Sequence, residues 1–283
     1  MATVASPLQI LESGRLRSFI LPREHGAWGI LLVPLLTGAA IGLATGRGVL
    51  PFILFIAASL SLFCLRTPLE AWLGTTPLRA QDSAERLIVL YAIVLYGLIA
   101  AFAVGWLLWR ERAIGLVLIG AASGVFFIAQ AILKKLGRST RMVSQLLGAM
   151  GLTSTAAGAY YVVTGALNQT ALLLWAASWL FAANQIYFVQ LRIHGARLAS
   201  ASEKFREGRW FLASELLTVV LLAASWRIGY LPGLAAASYA PVLIRGLRWF
   251  LPGKEPLAVH RLGFTELAHA VAFGALFTLG FLL

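Results

Sequence analysis

The sequence predicts an all-α membrane protein, a polytopic bundle of about nine transmembrane helices that occupies residues 22–283 as a single domain. The 283-residue chain is 60% hydrophobic and only 12% charged, and its mean hydropathy is +0.84. A soluble domain is about a quarter charged and could not bury this much apolar surface. Apolar runs of about 20 residues, the length that a spanning helix needs, recur along the chain.

This composition excludes secreted, cytosolic and disordered proteins. The formal net charge is +12, but a basic excess in a multi-pass membrane protein marks the cytoplasmic side of the bilayer, so we expect no nucleic-acid partner. The single cysteine, Cys64, lies in an apolar run and is expected to be a packing residue.

The N-terminal segment, residues 1–21, is expected to be cytoplasmic. It contains Glu12, Arg15 and Arg17 and no apolar run of the kind found in a cleavable signal peptide. Leu16–Leu21 is predicted to form a short interfacial helix that leads into the first span.

Nine spans follow from the apolar runs. Met142–Leu191 has no charged residue and is too long for one span, so it predicts two, with a break at Thr164–Thr170 where Gly165 and Asn168 favour a turn. The run Ile228–Ile244 is short and is interrupted by a Pro-Gly pair. The runs that predict one span each are Gly26–Thr45, Gly48–Leu65, Leu87–Trp109, Ala113–Leu133, Trp210–Trp226, Ile228–Ile244 and Leu262–Leu283.

The distribution of cations predicts the orientation of this bundle. With nine spans, 19 of the 23 Lys and Arg residues either precede the first span or fall in the loops after the even-numbered spans. The other four are Arg47, Arg110, Arg112 and Arg227. By the positive-inside rule, we expect the N-terminus in the cytoplasm and the C-terminus on the outer side of a cytoplasmic (inner) membrane.

The first candidate site lies at the mouth of the first span, where Arg23, Glu24, His25 and Trp28 are crowded together. Part of this pattern is typical of a helix start, because an acidic residue there complements the helix dipole and a Trp anchors at the interface. A Glu next to a His where the helix enters the bilayer also indicates a binding site.

Two further candidates lie near the ends of later spans. Arg66 and Glu70 follow the second span, and Asn184 and Gln185 lie within the sixth span and lead to Arg192. Amide side chains inside a membrane helix commonly form interhelical hydrogen bonds, so a purely structural role for the Asn-Gln pair stays open.

Acidic residues within spans form the last candidate site. Glu215 lies in the seventh span, and Glu266 and His269, three residues apart and so on one helical face, lie in the last. Such residues face a cavity, a partner or a water-filled path. We expect Glu266 to share a cytoplasm-facing pocket with Arg23, Glu24 and His25. We also expect Arg66 or Arg192 to line this pocket, because a buried carboxylate needs a nearby cation.

Three segments resemble the YwiC-like family of bacterial integral membrane proteins: Pro22–Trp28, Ala159-Tyr160-Tyr161, and Gly263 with Glu266. The string Pro-Arg-Glu-His-Gly-Ala-Trp is fairly specific, and the resemblance extends over essentially the whole chain. It implies a bacterial membrane location. It implies no reaction, because the family has no established biochemical activity.

The topology also resembles that of the UbiA-type prenyltransferase superfamily. Those proteins have nine spans, and aspartate-rich motifs after the second and sixth spans hold Mg²⁺ against a prenyl diphosphate. The corresponding loops, Arg66–Arg86 and Arg192–Arg209, contain no Asp-x-x-x-Asp, and Asp82 is the chain's only aspartate. Hard cations on a diphosphate need several carboxylate oxygens. We therefore expect no Mg²⁺-dependent prenyl transfer, no metal and no other cofactor.

Three interpretations of function remain open. The first is a membrane protein whose cytoplasm-facing polar cavity binds a lipid or isoprenoid-like molecule. The second is a membrane-embedded enzyme of UbiA-like fold with a substituted active site. The third is a transporter or channel subunit, in which Glu215, Glu266 and His269 line a path. The lipid bilayer is the one partner that all three require, and the sequence does not fix an oligomeric state.

Overall fold

The computed structural model describes residues 18–22, 25–45, 48–74, 82–253 and 257–283. These residues fold into α-helices joined by short turns, with no strand among them, so the predicted all-α class is confirmed. In chain order the helices are α1 (His25–Leu43), α2 (Leu50–Trp72), α3 (Ser83–Trp109), α4 (Gly115–Lys135), α5 (Arg141–Thr153), α6 (Thr155–Thr164), α7 (Gln169–His194), α8 (Ala201–Arg227), α9 (Gly233–Ala237), α10 (Ala240–Arg248) and α11 (Val259–Leu282).

Within the described ranges, eight helical segments are long and apolar enough to cross a membrane, with α5 and α6 forming one of them. The prediction of about nine spans is therefore close. The predicted break after the fifth span is confirmed. Gly165 adopts a left-handed conformation after α6, with φ of 73°, and the Asn168 side chain accepts a hydrogen bond of 3.2 Å from the Ala171 N–H at the start of α7.

Several helices extend well beyond their apolar runs. The largest extension is in α8, which begins at Ala201 whereas the predicted span begins at Trp210. Ser200 and Glu203 form a capping box there, in which each side chain bonds the other residue's backbone N–H. A helix that is capped in this way continues beyond its apolar run, which the run alone does not reveal.

The chain divides into two compact units. The first comprises residues 1–25 and 50–112 and contains α2 and α3, and Phe19, Ala71 and Val89 form its buried core. Of the predicted interfacial helix Leu16–Leu21, residues 18–20 are helical and residues 16 and 17 lie outside the described part. That residues 22–283 form one transmembrane domain stays a prediction.

The second unit comprises residues 26–49 and 113–283. In it α1 packs so closely against α6 that a Cβ at Gly38 would clash with the carbonyl group of Ala156. The Thr155 hydroxyl donates a hydrogen bond of 3.1 Å to the Leu31 carbonyl oxygen at the same contact. Such approach of backbones is typical of membrane helices that pack through small residues.

The predicted span Ile228–Ile244 is not one straight helix but two short ones, α9 and α10, with a break at Ser238 and Tyr239. The pair still runs the length of α8 in the opposite direction. Gly233 faces Trp226 at one end of α8, and the Gly253 N–H bonds the Ala199 carbonyl just before the other end, at 2.9 Å. Because α9 and α10 together run beside the whole of α8, we call this pair the two-piece crossing of the bundle.

Cations gather at one end of the second unit because its helices alternate in direction. We call this the cationic end. The cations found there are Lys134 and Lys135 of α4, Arg141 of α5, Arg192 of α7, Lys204, Arg206 and Arg209 of α8, Arg248 of α10 and Arg261 of α11. Arg227 lies at the opposite end of α8.

Candidate functional site

Five polar side chains from four helices of the second unit meet in one layer across the bundle, which we call the polar layer. It consists of Asn184 and Gln185 of α7, Glu215 of α8, Arg245 of α10 and Glu266 of α11. The two-piece crossing thus supplies the only cation of the five.

A continuous set of hydrogen bonds links the two carboxylates of the polar layer. The Asn184 amide donates to Glu215 Oε1 at 2.6 Å, and its own oxygen accepts from Arg245 Nη2 at 2.9 Å. Arg245 Nη1 forms an ion pair with Glu266 Oε2. The Gln185 amide donates to the backbone carbonyl of Glu266 at 2.6 Å and so ties α7 to α11 at this point.

The layer is buried, and three of its polar atoms have no hydrogen-bond partner. Glu215 is 4% exposed and Glu266 is 8% exposed. The unpartnered atoms are Glu215 Oε2, Glu266 Oε1 and Arg245 Nε. Buried polar atoms in native structures nearly always have a partner, so three in one cluster require an explanation.

Gly246 makes the space that Glu215 needs. A Cβ at this position would lie 2.8 Å from Glu215 Oε1 and 3.0 Å from the Phe211 ring. Because α10 presents only a glycine here, the carboxylate of Glu215 fits between α8 and α10 without displacing either helix.

An apolar layer covers the polar layer on the side of the cationic end, and we call it the inner layer. Each of its residues lies four positions, or about one helical turn, from a member of the polar layer. The pairs are Phe188 with Asn184, Phe211 with Glu215, Trp249 with Arg245, and Leu262 with Glu266. Arg245 also stacks on Phe188, with its guanidinium carbon 3.9 Å from the ring centroid.

Aromatic rings lie on the other side of the polar layer as well, and we call them the outer layer. Phe181 and Phe273 stack at 4.0 Å between centroids, and Tyr239 packs edge-on against both rings. Phe277 continues the cluster along α11. The polar layer is therefore enclosed between two apolar layers, and its free atoms face the interior of the bundle.

The charges within the polar layer do not balance. Two carboxylates face one guanidinium, which gives a formal charge of −1 when all three groups are ionised. Lys204 is also buried, but its ammonium group donates to the Leu251 carbonyl at 2.8 Å and lies over Trp249, beyond the inner layer. Among the described residues, no three His, Cys, Asp or Glu side chains form a group that could hold a metal ion.

Four of the residues predicted from the sequence converge in the polar layer: Asn184, Gln185, Glu215 and Glu266. The sequence analysis missed Arg245, because the apolar run ended at Ile244 and the arginine was assigned to the following loop. The signal that this segment does not form one straight helix was Pro241, which follows the break at Ser238 and Tyr239 and lacks a backbone N–H. The Pro-Gly pair lies instead at the start of α9.

Other predicted residues lie elsewhere. Arg66 and Glu70 bond each other in the first unit, at 2.9 Å between Nε and Oε1. His269 does not pair with Glu266, because its ring bonds the backbone carbonyl of Thr265 at 2.7 Å. Arg192 lies in the last turn of α7, and Trp28 is half-buried on α1.

The predicted pocket at the start of the first span is largely outside the described residues. Arg23 and Glu24 are outside the described part of the chain, and only the backbone of His25, at the start of α1, is described. That Arg66 or Arg192 lines a pocket with Arg23, Glu24, His25 and Glu266 stays a prediction, and the cation that pairs with Glu266 is Arg245. The reason is geometric: the break in the crossing extends α10 to Arg248 and turns Arg245 into the bundle.

Comparison of the sequence with known proteins identifies a matching family but no individual protein that matches. No curated protein and no solved structure matches the chain, so the resemblance to the UbiA-type fold gains no support. Residues 21–161 match the family described as YwiC-like protein. This match is about half of the chain and ends in α6, before every residue of the polar layer. On this match, the chain belongs to the YwiC-like family.

Proposed function

We propose that this chain is a membrane-embedded binding protein for a small, lipid-like amphipathic ligand whose polar head contacts the polar layer. The observation that carries this proposal is the set of three unpartnered buried atoms on Glu215, Arg245 and Glu266. A network that served only to hold helices together would satisfy these atoms, since each buried polar atom left unbonded costs about 1–3 kcal/mol.

The two apolar layers support an amphipathic ligand over a fully polar one. Aromatic rings lie on both sides of the free carboxylate oxygens, so a ligand that reaches them must also contact apolar surface. The formal charge of −1 disfavours a diphosphate head, which would bring further negative charge into a site that excludes water. An isoprenoid-like alcohol or amine fits these properties, and a prenyl diphosphate does not.

The cation distribution supports a site in the cytoplasmic half of the bilayer. Glu215 and Glu266 lie about 8 Å along their helices from Arg209 and Arg261 of the cationic end, at 1.5 Å per residue. The positive-inside rule places that end in the cytoplasm of a bacterium, with the N-terminus inside and the C-terminus outside. A C-terminal reporter active only in the cytoplasm would contradict this orientation.

Native mass spectrometry of the purified full-length protein tests the proposed function. We expect a bound species that survives the collision energy that strips annular lipid. We also expect this species to be lost from the double variant Arg245→Met/Glu266→Gln, which removes both members of the ion pair together. Glu207→Gln, an exposed carboxylate on the same helix α8, is the matched control and should retain it. The absence of any such species from the wild type would overturn the proposal.

A transporter is the second candidate, and the two-piece crossing is the observation that favours it. Discontinuous helices beside buried charges are typical of transport sites. Proteoliposomes loaded with a pH-sensitive dye and given a membrane potential test this alternative. A proton flux that Glu215→Gln abolishes and Glu207→Gln leaves intact would support transport, and equal flux in all three proteins would exclude proton movement through this site.

A further inference from the structure

From the charges and free atoms of the polar layer, we infer that the head of the ligand is a primary or secondary ammonium group, held between Glu215 and Glu266. This inference rests on the proposed function and specifies its ligand. It follows from two independent properties of the layer: its charge balance and the hydrogen-bonding character of its free atoms.

The charge balance calls for one positive charge. The hydrogen bonds of the two terminal nitrogens of Arg245 go to Glu266 and to Asn184, and neither goes to Glu215. Glu215 is bonded through the neutral Asn184 and has no cation in direct contact. Lys204 begins about 16 Å away along α8 and its ammonium group bonds Leu251 instead. A buried carboxylate without a cation is costly, and a cationic ligand removes that cost.

The free atoms specify which cation fits. Glu215 Oε2 and Glu266 Oε1 are both acceptors, so a head that bonds them must carry at least two N–H donors. Protonated primary and secondary amines have them, whereas a quaternary ammonium has none and would leave both oxygens unbonded. A phosphate or carboxylate head has the wrong charge, and an alcohol supplies one donor and no charge.

Arg245 Nε adds a third requirement, because it is a donor without an acceptor. A hydroxyl or ether oxygen next to the amine would accept from it. Amines with a neighbouring oxygen therefore match all three free atoms, and simple alkylamines match two of them. The apolar tail of either would contact the rings of the inner layer, of which Phe211 and Trp249 lie one helical turn from Glu215 and Arg245.

The test uses four probes with the same six-carbon tail: hexylamine, hexyltrimethylammonium, hexanol and hexanoate. Each is titrated at pH 7 into the purified full-length protein in detergent, and melting temperature and tryptophan fluorescence are recorded. We expect a saturable rise in melting temperature with hexylamine and none with the other three. A 1-amino-2-alkanol of equal chain length should bind several-fold more tightly than hexylamine.

Substitutions at Glu215 and Glu266 test whether hexylamine binding depends on these two carboxylates. Glu215→Gln and Glu266→Gln should each weaken hexylamine binding at least tenfold, and Glu207→Gln should leave it unchanged. If Glu266→Gln does not fold, Glu215→Gln carries the test alone, because Glu215 does not pair directly with Arg245. Equal responses to all four probes, or the same amine affinity in Glu215→Gln as in the wild type, would overturn the inference.

The mass-spectrometric experiment separates this inference from the proposed function. A bound lipid-like species in the wild type, together with no preference for hexylamine, would overturn the ammonium head and leave the binding function standing. The third possible result is a melting temperature that changes with pH, with no saturable amine binding and no bound species. This result would overturn both the binding function and the ammonium head, and it would indicate that a proton balances the negative charge of the polar layer.

Discussion

Two Arg–Glu ion pairs in the described part of the chain have very different surroundings. Arg66 and Glu70 lie one turn apart on α2, and their side chains are 25% and 34% exposed. Arg245 and Glu266 join two helices of the second unit, and theirs are 12% and 11% exposed. Water still solvates both members of the first pair, so their contact adds little stability. In the second pair each charge is buried, and losing one partner leaves the other charge without compensation. The difference teaches that burial, rather than the ion pair itself, sets the cost of losing a partner.

The substitution Arg245→Met tests this difference most strongly. It leaves two carboxylates in the polar layer with no cation, and we expect it to lower the free energy of unfolding by about 3–5 kcal/mol. Denaturation of the purified protein in a graded series of SDS concentrations measures the loss. Adding Glu266→Gln to the same chain should restore much of the stability. If the double variant is no more stable than Arg245→Met, the cost does not come from the unpaired charge.

Asn184→Leu separates the contribution of the amide from that of the charges. The substitution removes the bonds to Glu215 and Arg245 while keeping a side chain of similar size. Hydrogen bonds to charged groups contribute about 1.5–3 kcal/mol, so we expect a loss of about 2–3 kcal/mol in the same assay. A loss as large as that of Arg245→Met would show that the amide, and not the arginine, dominates the layer.

Gly246→Ala tests the fit of Glu215 rather than its bonds. A methyl group 2.8 Å from Glu215 Oε1 and 3.0 Å from the Phe211 ring must displace one of them. We expect a loss of about 1–2 kcal/mol, as for other overpacked positions. The matched control is Gly263→Ala on α11, where nothing lies within 4 Å of the added Cβ. That control should be neutral or slightly stabilising, since alanine favours a helix over glycine.

Glu70→Gln should have the smallest effect of the four. The carboxylate is about one-third exposed and pairs within its own helix, so we expect a change below about 0.5 kcal/mol that shrinks further at high salt. Arg66→Met should behave the same way. A loss near that of Arg245→Met would contradict the comparison and indicate that Glu70 has a further essential partner.

These two pairs also show how far the sequence could predict the site. The Arg66–Glu70 contact follows from a spacing of four along one helix, which is visible in any sequence. The convergence of Asn184, Glu215 and Glu266 depends on how three helices rotate against one another, and no local spacing encodes that. The sequence singled out each of these residues because polar groups in apolar runs are costly, but it could not indicate that they meet.

The fold also has features that local sequence predicts and others that depend on contacts between helices. Apolar runs predicted the helices and the turn at Gly165 and Asn168, because both depend on local chemistry. The break at Ser238 and Tyr239 also has a local signal, because Pro241 at the start of α10 lacks the N–H that would bond the carbonyl four residues earlier. The sequence analysis did not use this signal, and Arg245 was assigned to a loop. No local pattern encodes the contact made at the break, where the Tyr239 hydroxyl bonds the Ala177 carbonyl of α7 at 2.6 Å.

The two-piece crossing has a consequence for how the chain enters the membrane during synthesis. α9 has five residues and α10 has nine, and neither reaches across a hydrocarbon core that needs about 20. The Tyr239 hydroxyl at the break bonds α7, and the ion-pair partner of Arg245 lies on α11, which the ribosome makes afterwards. A nascent chain that ends before Val259 thus carries an unpaired arginine on a segment too short to hold it in lipid. We therefore expect stable insertion of this pair to follow the synthesis of α11, with the three helices entering the bilayer together.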